Sequence, residues 1–281
     1  MKRRDWLMAL AGAQAGYAFK GDAKLFAKEN LVAWCIVPFD AKQRGPEERA
    51  RMLRELGIRR LAYDWRDKDI PTFDAELDAL NRHGIRLEAF WLASDMNVEA
   101  NKSVRVVLDF LKRRKVRTAI WLYLGTPKDF ADLDRAVRAT QYVARQAKQI
   151  GCTVDLYNHG GWSGEPENLV SIIQKAGMDN VGIVYNFHHG REHMDRFPEL
   201  FRLMLPYLKT LNLNGMKKDG PMIMTIGEGD RELDMLRVVS SSPYRGRIGI
   251  LNHRTDQDAE VGLRRNMQGL DRLVRQLDRP S

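Results

Sequence analysis

The sequence predicts an α/β protein built as a single (β/α)8 barrel, and three observations carry that reading. Eight short apolar runs rich in Val, Ile, Leu and aromatic residues alternate from residue 31 onward with eight longer amphipathic segments. Runs of that composition suit strands buried on both faces of a parallel sheet. Glycine also stands between a helical segment and the next strand, as in ELGIRR, RHGIRL and QIGCTV, where a left-handed residue turns the chain back toward the sheet. The unit of one strand and one helix recurs every 26 to 40 residues or so, and eight such units in series close into a ring more readily than they extend an open sheet.

Taken in order, the strands fall at 31–40, 59–65, 85–92, 116–124, 152–159, 181–188, 208–215 and 247–253. The helices between them are PEERARMLREL, FDAELDALNRH, SVRVVLDFLKRR, FADLDRAVRATQYVARQAKQI, PENLVSIIQKA, FPELFRLML, RELDMLRVV and AEVGLRRNMQGLDRLVRQL. Several open on Pro, Asp or Glu, which suit a first turn with its unsatisfied N–H groups and positive dipole end. No proline-rich linker, low-complexity tract or charge block interrupts the series, so residues 21–281 read as one domain.

Residues 1–20 stand apart. MKRRDWLMALAGAQAGYAF pairs two arginines with an aromatic-Leu step, about ten small or apolar residues and an Ala-Gln-Ala. This resembles a twin-arginine export signal, which implies a periplasmic or secreted protein; the competing reading is an ordinary N-terminal helix of a cytoplasmic one. The apolar stretch is too short for a stable membrane span.

The net charge of +9 and a pI near 9.6 invite a nucleic-acid reading, but the excess is concentrated. Lys2, Arg3, Arg4 and Lys20 account for part, and Lys112, Arg113, Arg114, Lys115 and Arg117 gather at one predicted helix end, where cations suit the dipole and no aromatic residue is interleaved to stack on bases. No nucleic-acid partner is expected. A nuclease of this barrel type would need a carboxylate and histidine cluster for several zinc ions, which the chain lacks. Cys35 and Cys152, both placed in strands, read as buried thiols rather than a disulfide. Nothing in the sequence fixes the oligomeric state.

In a barrel of this kind chemistry lies at the carboxyl ends of the strands, and polar residues gather there. Of six histidines, His83 ends a helix, while His159, His188, His189 and His253 stand at the ends of strands five, six and eight; these four are the acid/base candidates, since imidazole titrates near working pH. Asn158, Asn186, Asn212, Asn214 and Asn252 follow the same rule, and uncharged amides suit the hydroxyls of a polyol. Trp65, Trp91, Trp121, Tyr157, Trp162 and Phe187 crowd the same end, where an aromatic face can stack on a sugar ring. Glu88 and Asp64 offer carboxylates, and Lys217 and Lys218 lie in the loop after strand seven.

VDLYNHGG, NVGIVYNFHHG, LKTLNLNG, IGEGD and YRGRIGILNH, in this order, resemble the xylose isomerase-like TIM barrels, the sugar phosphate isomerase/epimerase group, over roughly residues 31–276. The resemblance implies a divalent metal held by a Glu, an Asp, a His and a Glu on strands five to eight, the two glutamates serving as acid and base. The matching positions here are Tyr157, Asn186, Asn212 and Asn252, none of them the group's residue, whereas His159 and His189 keep its histidines. Hard divalent cations want anionic oxygen, so the remaining way to hold a metal is a softer, zinc-like set of His159, His189 and His253.

The expected function is therefore a sugar isomerase or epimerase, or a related lyase, acting on a carbohydrate or keto-sugar. His159, His189, His188 and His253, with Glu88, would replace the usual carboxylates. Tyr157, Asn158, Trp162, Asn186, Asn212, Asn214, Asn252, Trp91, Trp121 and Lys217 would bind the substrate. The alternative is a non-catalytic carbohydrate-binding relative without the metal site.

Overall fold

The computed structural model describes residues 23–277, so the signal-like segment lies outside the described residues. Eight parallel strands form a closed barrel in sequence order: β1 (Leu31–Trp34), β2 (Arg60–Tyr63), β3 (Arg86–Ser94), β4 (Ala119–Leu124), β5 (Thr153–Tyr157), β6 (Val181–Asn186), β7 (Leu208–Leu213) and β8 (Arg247–Leu251). The ring closes where Leu31, Val32, Ala33 and Trp34 pair with Ile248, Gly249, Ile250 and Leu251. Helices α1 (Pro46–Leu56), α2 (Phe73–Arg82), α3 (Lys102–Arg113), α4 (Leu133–Gln149), α5 (Pro166–Ala176), α6 (Phe197–Met204), α7 (Glu232–Ser240) and α8 (Ala259–Leu277) follow the strands in turn.

The helix boundaries answer to the signals that predict them. Pro46 and Pro166 open α1 and α5, Asn101 accepts from the amides of Ser103 and Val104 to cap α3, and Asp132 accepts from Arg135 to cap α4. Gly57, Gly84 and Gly151, each between a helix and a strand, all have positive φ, at 75°, 65° and 75°. A side chain there would be strained, so these three steps depend on glycine. Arg113 and Arg114 from the basic helix end pair with Asp74, and Arg114 also with Asp78.

Two apolar layers result. Alternate strand residues face outward onto the helices and form the larger core. The other set fills the barrel: Val32, Trp34, Ala62, Ala89, Trp121, Tyr157, Val184 and Leu251 pack together inside it. Trp34 meets Trp121 edge to face at 4.8 Å and lies 5.8 Å from Tyr157. Cys35 and Cys152 are buried and free, as expected. They lie just outside β1 and β5 rather than in them, because Cys35 takes a φ of 52° that ends the strand.

The amino-terminal end of the barrel is lined by charge around a cavity of about 530 Å³. Glu88 accepts from Arg60 at 2.9 Å and from Arg247 at 3.0 Å, with Arg86 at 3.4 Å, all three near the start of their strands. Glu88 is thus a paired structural carboxylate at the end opposite the histidines, and its expected place in a shared catalytic pocket is withdrawn.

Candidate functional site

At the carboxyl-terminal mouth the βα loops bring together groups from almost every unit of the barrel. β5 runs out through Tyr157 to His159, whose ring lies 4.4 Å from that of Tyr123 on β4 and 4.3 Å from that of His189. His189 lies 3.8 Å from its neighbour His188, which lies 5.3 Å from His253 after β8. His253 stacks on Phe39 from the loop after β1 at 4.1 Å and 22°. The guanidinium of Arg66, after β2, lies over both Phe39 and Trp91 of β3, at 5.8 Å and 5.1 Å.

Backbone geometry fixes this arc. His253 and Cys35 both have left-handed φ, at 49° and 52°, and the His253 amide donates to the Cys35 carbonyl at 3.2 Å. Non-glycine residues in that region cost about 1–3 kcal/mol each and cluster at functional sites. Asp40 anchors the loop that carries Phe39: both carboxylate oxygens bind Arg44, and Oδ1 also accepts from the Ala259 amide at the start of α8. Asn214 accepts the His188 amide at 3.0 Å and donates to the carbonyls of Gly215 and Met222, so its role is to hold the loops rather than to meet a ligand.

Electrostatically the imidazoles are held neutral. Burial pushes His188 well below its usual range, helped by the three neighbouring histidines, and neither ring nitrogen has a hydrogen-bond partner. Burial likewise takes His189 to about 3, with His159 and His253 adding to the shift. His159 and His253 are lowered by burial too, with Arg66 contributing to both. Below the rim, Asp64 at the end of β2 is pushed up to about 7 by burial, which the nearby Arg66 and the Val37 amide only partly offset. Its Oδ1 accepts from Val37 at 3.2 Å and its Oδ2 has no partner.

Under the histidines lies a ladder of amides. Asn158 Oδ1 accepts from the main-chain and side-chain N–H groups of Asn186, at 2.7 and 2.9 Å, and Asn186 Oδ1 accepts from Asn212 Nδ2 at 2.7 Å. The Asn212 oxygen remains, buried and without a partner, and it fits only because Gly249 faces it: a Cβ there would lie 1.7 Å away.

These contacts test the metal that the fold group implies. Of the four corresponding positions, Asn186 and Asn212 are spent on each other. Tyr157 is buried beside Trp34 and Trp121, and burial holds its phenol well above the usual range. Asn252 faces away from the barrel: its amide donates to the carbonyls of Phe39, Arg254 and Gln257, and its oxygen points at Gly262 of α8. One neutral oxygen does not replace the anionic donors of a hard-cation site. Among the described residues no three His, Cys, Asp or Glu side chains are arranged to hold a metal ion, so His159, His189 and His253 do not form a zinc set. The donor set does not fit.

The remaining expected residues divide. Trp91 sits in the mouth under Arg66, whereas Trp121 and Tyr157 are buried core, 1% and 3% exposed. Trp162, in the loop after β5, packs on Phe130 from the loop after β4, and among the described residues no ring contact links it to the histidines. Lys217 is exposed in the loop after β7, and its neighbour Lys218 pairs with Asp195. In IGEGD the turn is held by Glu232, which accepts from the amides of Gly227 and Gly229, while Glu228 borders a cavity of about 390 Å³ with Asn252 and Arg254. His83 and His193 pair with Glu47 and Glu165, apart from the mouth.

Sequence reasoning missed Phe39, Arg66 and Tyr123. Tyr123 is two residues beyond Trp121 on the same strand, so alternation alone points it to the barrel side. Phe39 and Arg66 lie in loops, where no periodicity applies.

No family model matches the chain, and no curated protein matches it by sequence. Solved structures do. The IolI protein with a bound zinc atom superposes with a TM-score of 0.70 at 12% identity over 88% of this chain and 99% of its own. The 3-keto-D-glucoside 4-epimerase YcjR of E. coli gives 0.64 at 14% identity, over 87% and 98%. The D-psicose 3-epimerase of Clostridium cellulolyticum H10, solved with D-tagatose, gives 0.60 at 16%, over 88% and 96%. The chain has the xylose isomerase-like TIM barrel fold, which sugar isomerases and epimerases share. Among the described residues no helix is long and apolar enough to cross a membrane.

Proposed function

We propose that the carboxyl-terminal mouth is a carbohydrate site. In this reading the barrel is a sugar isomerase- or epimerase-like protein whose proton transfers run through imidazoles and Asp64 instead of metal-held carboxylates. The observation that carries the reading is the row of four histidines, drawn from the ends of three strands and in mutual ring contact. The sugar epimerases that share the fold support the substrate class.

Isomerisation or epimerisation of a keto-sugar begins with removal of a proton from a carbon beside the carbonyl. The electron pair left behind moves onto the carbonyl oxygen, and a proton returned to a carbon, with loss of the oxygen's charge, completes the exchange. The base must be neutral and within reach. His159 is the most open of the four rings and takes that role. His189, at about 3, is too weak a base at working pH and serves as the N–H donor to the developing oxyanion. Asp64, near 7, is poised to exchange protons beneath them. The faces of Trp91 and Tyr123 flank the ring of the sugar.

The amide ladder favours a second reading. Asn186 and Asn212 are bonded to each other at two positions where the fold group keeps metal ligands, as suits a carbohydrate-binding relative that does not turn its ligand over. Calorimetry and NMR on a panel of keto-sugars and glycosides separate the two. Conversion that falls with His189→Ala supports the enzyme, and binding without conversion supports the second reading. Neither binding nor conversion sinks both.

A further inference from the structure

We infer that the carbohydrate taken at this mouth carries an oxyanion, a carboxylate before a phosphate, and that Arg66 selects it. The inference rests on the carbohydrate reading and narrows its substrate class.

Arg66 is a built contact point. Its Nη1 donates to the carbonyls of Asp64 and Trp65, both at 2.8 Å, and its own amide donates to Asp69 at 2.8 Å. Its guanidinium carbon lies over two aromatic rings, Trp91 at 5.1 Å and Phe39 at 5.8 Å, contacts that restrain it and lower the entropy lost when it binds a ligand. Nε and Nη2 have no protein partner among the described residues, and no carboxylate there forms an ion pair with it.

Most other shielded arginines described in this chain differ, although Arg191, which donates to the Gly220 carbonyl, also lacks a carboxylate partner. Arg44 is held by Asp40 and Asp258, Arg49 by Glu76, and Arg60 and Arg247 by Glu88. Asp64, the acid just below Arg66, already gives Oδ1 to the Val37 amide. A half-buried cation without a counter-ion carries a desolvation cost, and a ligand oxyanion on the free guanidinium edge offsets it with two parallel charge-assisted hydrogen bonds.

The surroundings select the kind of anion. Arg66 lies over Phe39 at 5.8 Å, and Phe39 stacks on His253 at 4.1 Å, so the guanidinium borders the imidazole row. Those imidazoles are neutral, which leaves one fixed positive charge in the row. A monoanionic carboxylate balances it, whereas a phosphate dianion leaves negative charge uncompensated in a partly dry site.

Calorimetry on the purified full chain tests this with D-glucuronate, D-galacturonate and D-mannuronate, each against its neutral parent sugar, and with D-glucose 6-phosphate. The wild type is expected to bind at least one uronate about tenfold or more tightly than its parent. Arg66→Ala should abolish the difference, and Arg66→Lys should keep part of it, since lysine retains the charge but not the fork. Thermal unfolding checks the fold of each variant, and should Arg66→Ala fail to fold, Arg66→Lys carries the test through its partial loss of preference.

Equal affinity for acid and neutral sugars, or a preference unchanged in the variants, overturns the inference and leaves the carbohydrate reading standing. Tightest binding of the phosphate overturns the choice of carboxylate. Binding of none of these sugars or of the keto-sugar panel sinks both.

Discussion

Asn212 donates through Nδ2 to Oδ1 of Asn186 at 2.7 Å, across β7 and β6 at the registered pair of the two strands. Two positions where the fold group places metal ligands are therefore joined to each other. Asn186 also donates to Asn158, so truncating it strands the Asn212 donor and leaves Asn158 Oδ1 with only the main-chain amide of residue 186. Asn186→Ala is expected to lower unfolding free energy by about 1–3 kcal/mol, read as a lower denaturation midpoint at unchanged slope in urea.

Gly249 is required by the same ladder. A methyl group there would lie 1.7 Å from the Asn212 oxygen and 2.8 Å from its Cγ. Gly249→Ala should cost about 1–3 kcal/mol through overpacking. The double variant Gly249→Ala/Asn212→Ala should recover part of that loss, a coupling that a double-mutant cycle measures.

Glu88 gives the opposite kind of test. It holds arginines at the amino-terminal end, so Glu88→Gln should reduce stability by about 1–3 kcal/mol, moderated by solvent access. Ligand binding at the histidine end should stay within about twofold of wild type.

The extent to which the fold was readable follows from its punctuation. α1, α5 and α8 occupy the residues their sequence patterns mark, because Pro46 and Pro166 open two of them and Gly57 and Gly177 close the same two in left-handed conformation. The rim histidines were readable because they terminate apolar runs. Asn252 ends an apolar run and matches a ligand position of the fold group, which places it at the mouth, but His253 beyond β8 turns to positive φ and the Asn252 oxygen points toward α8. Trp121 and Tyr157 read as ligand contacts in the sequence but are buried core, because a sequence does not tell the mouth of a barrel from the layer just beneath it. Arg66 and Phe39 come from loops whose conformation depends on tertiary contacts such as Asp40 with Arg44 and α8.

His189 and Asp64 predict pH dependences of opposite sign. The folded protein holds His189 near 3, whereas the unfolded chain protonates it near 6.5. The unfolded state thus binds the extra proton first, and stability is lost as pH falls from about 6.5 toward 3, at up to about 1.4 kcal/mol per unit. Asp64 is raised to about 7, so the unfolded state loses its proton first and stability is lost as pH rises from about 4 to 7. His189→Gln should flatten the acid limb of unfolding free energy against pH. Asp64→Asn should gain on wild type between pH 4 and 7 and hold a constant margin above that.

The central claim is proton transfer by the imidazole row at the mouth, without a metal held by the amide positions. Wash-in of deuterium from D2O into the carbon-bound positions of a keto-sugar panel, followed by NMR with EDTA present, tests it most directly. The account predicts incorporation into at least one sugar, unaffected by the chelator and reduced at least about a hundredfold by His159→Ala. No incorporation into any sugar, or incorporation that EDTA abolishes or that His159→Ala leaves unchanged, contradicts it.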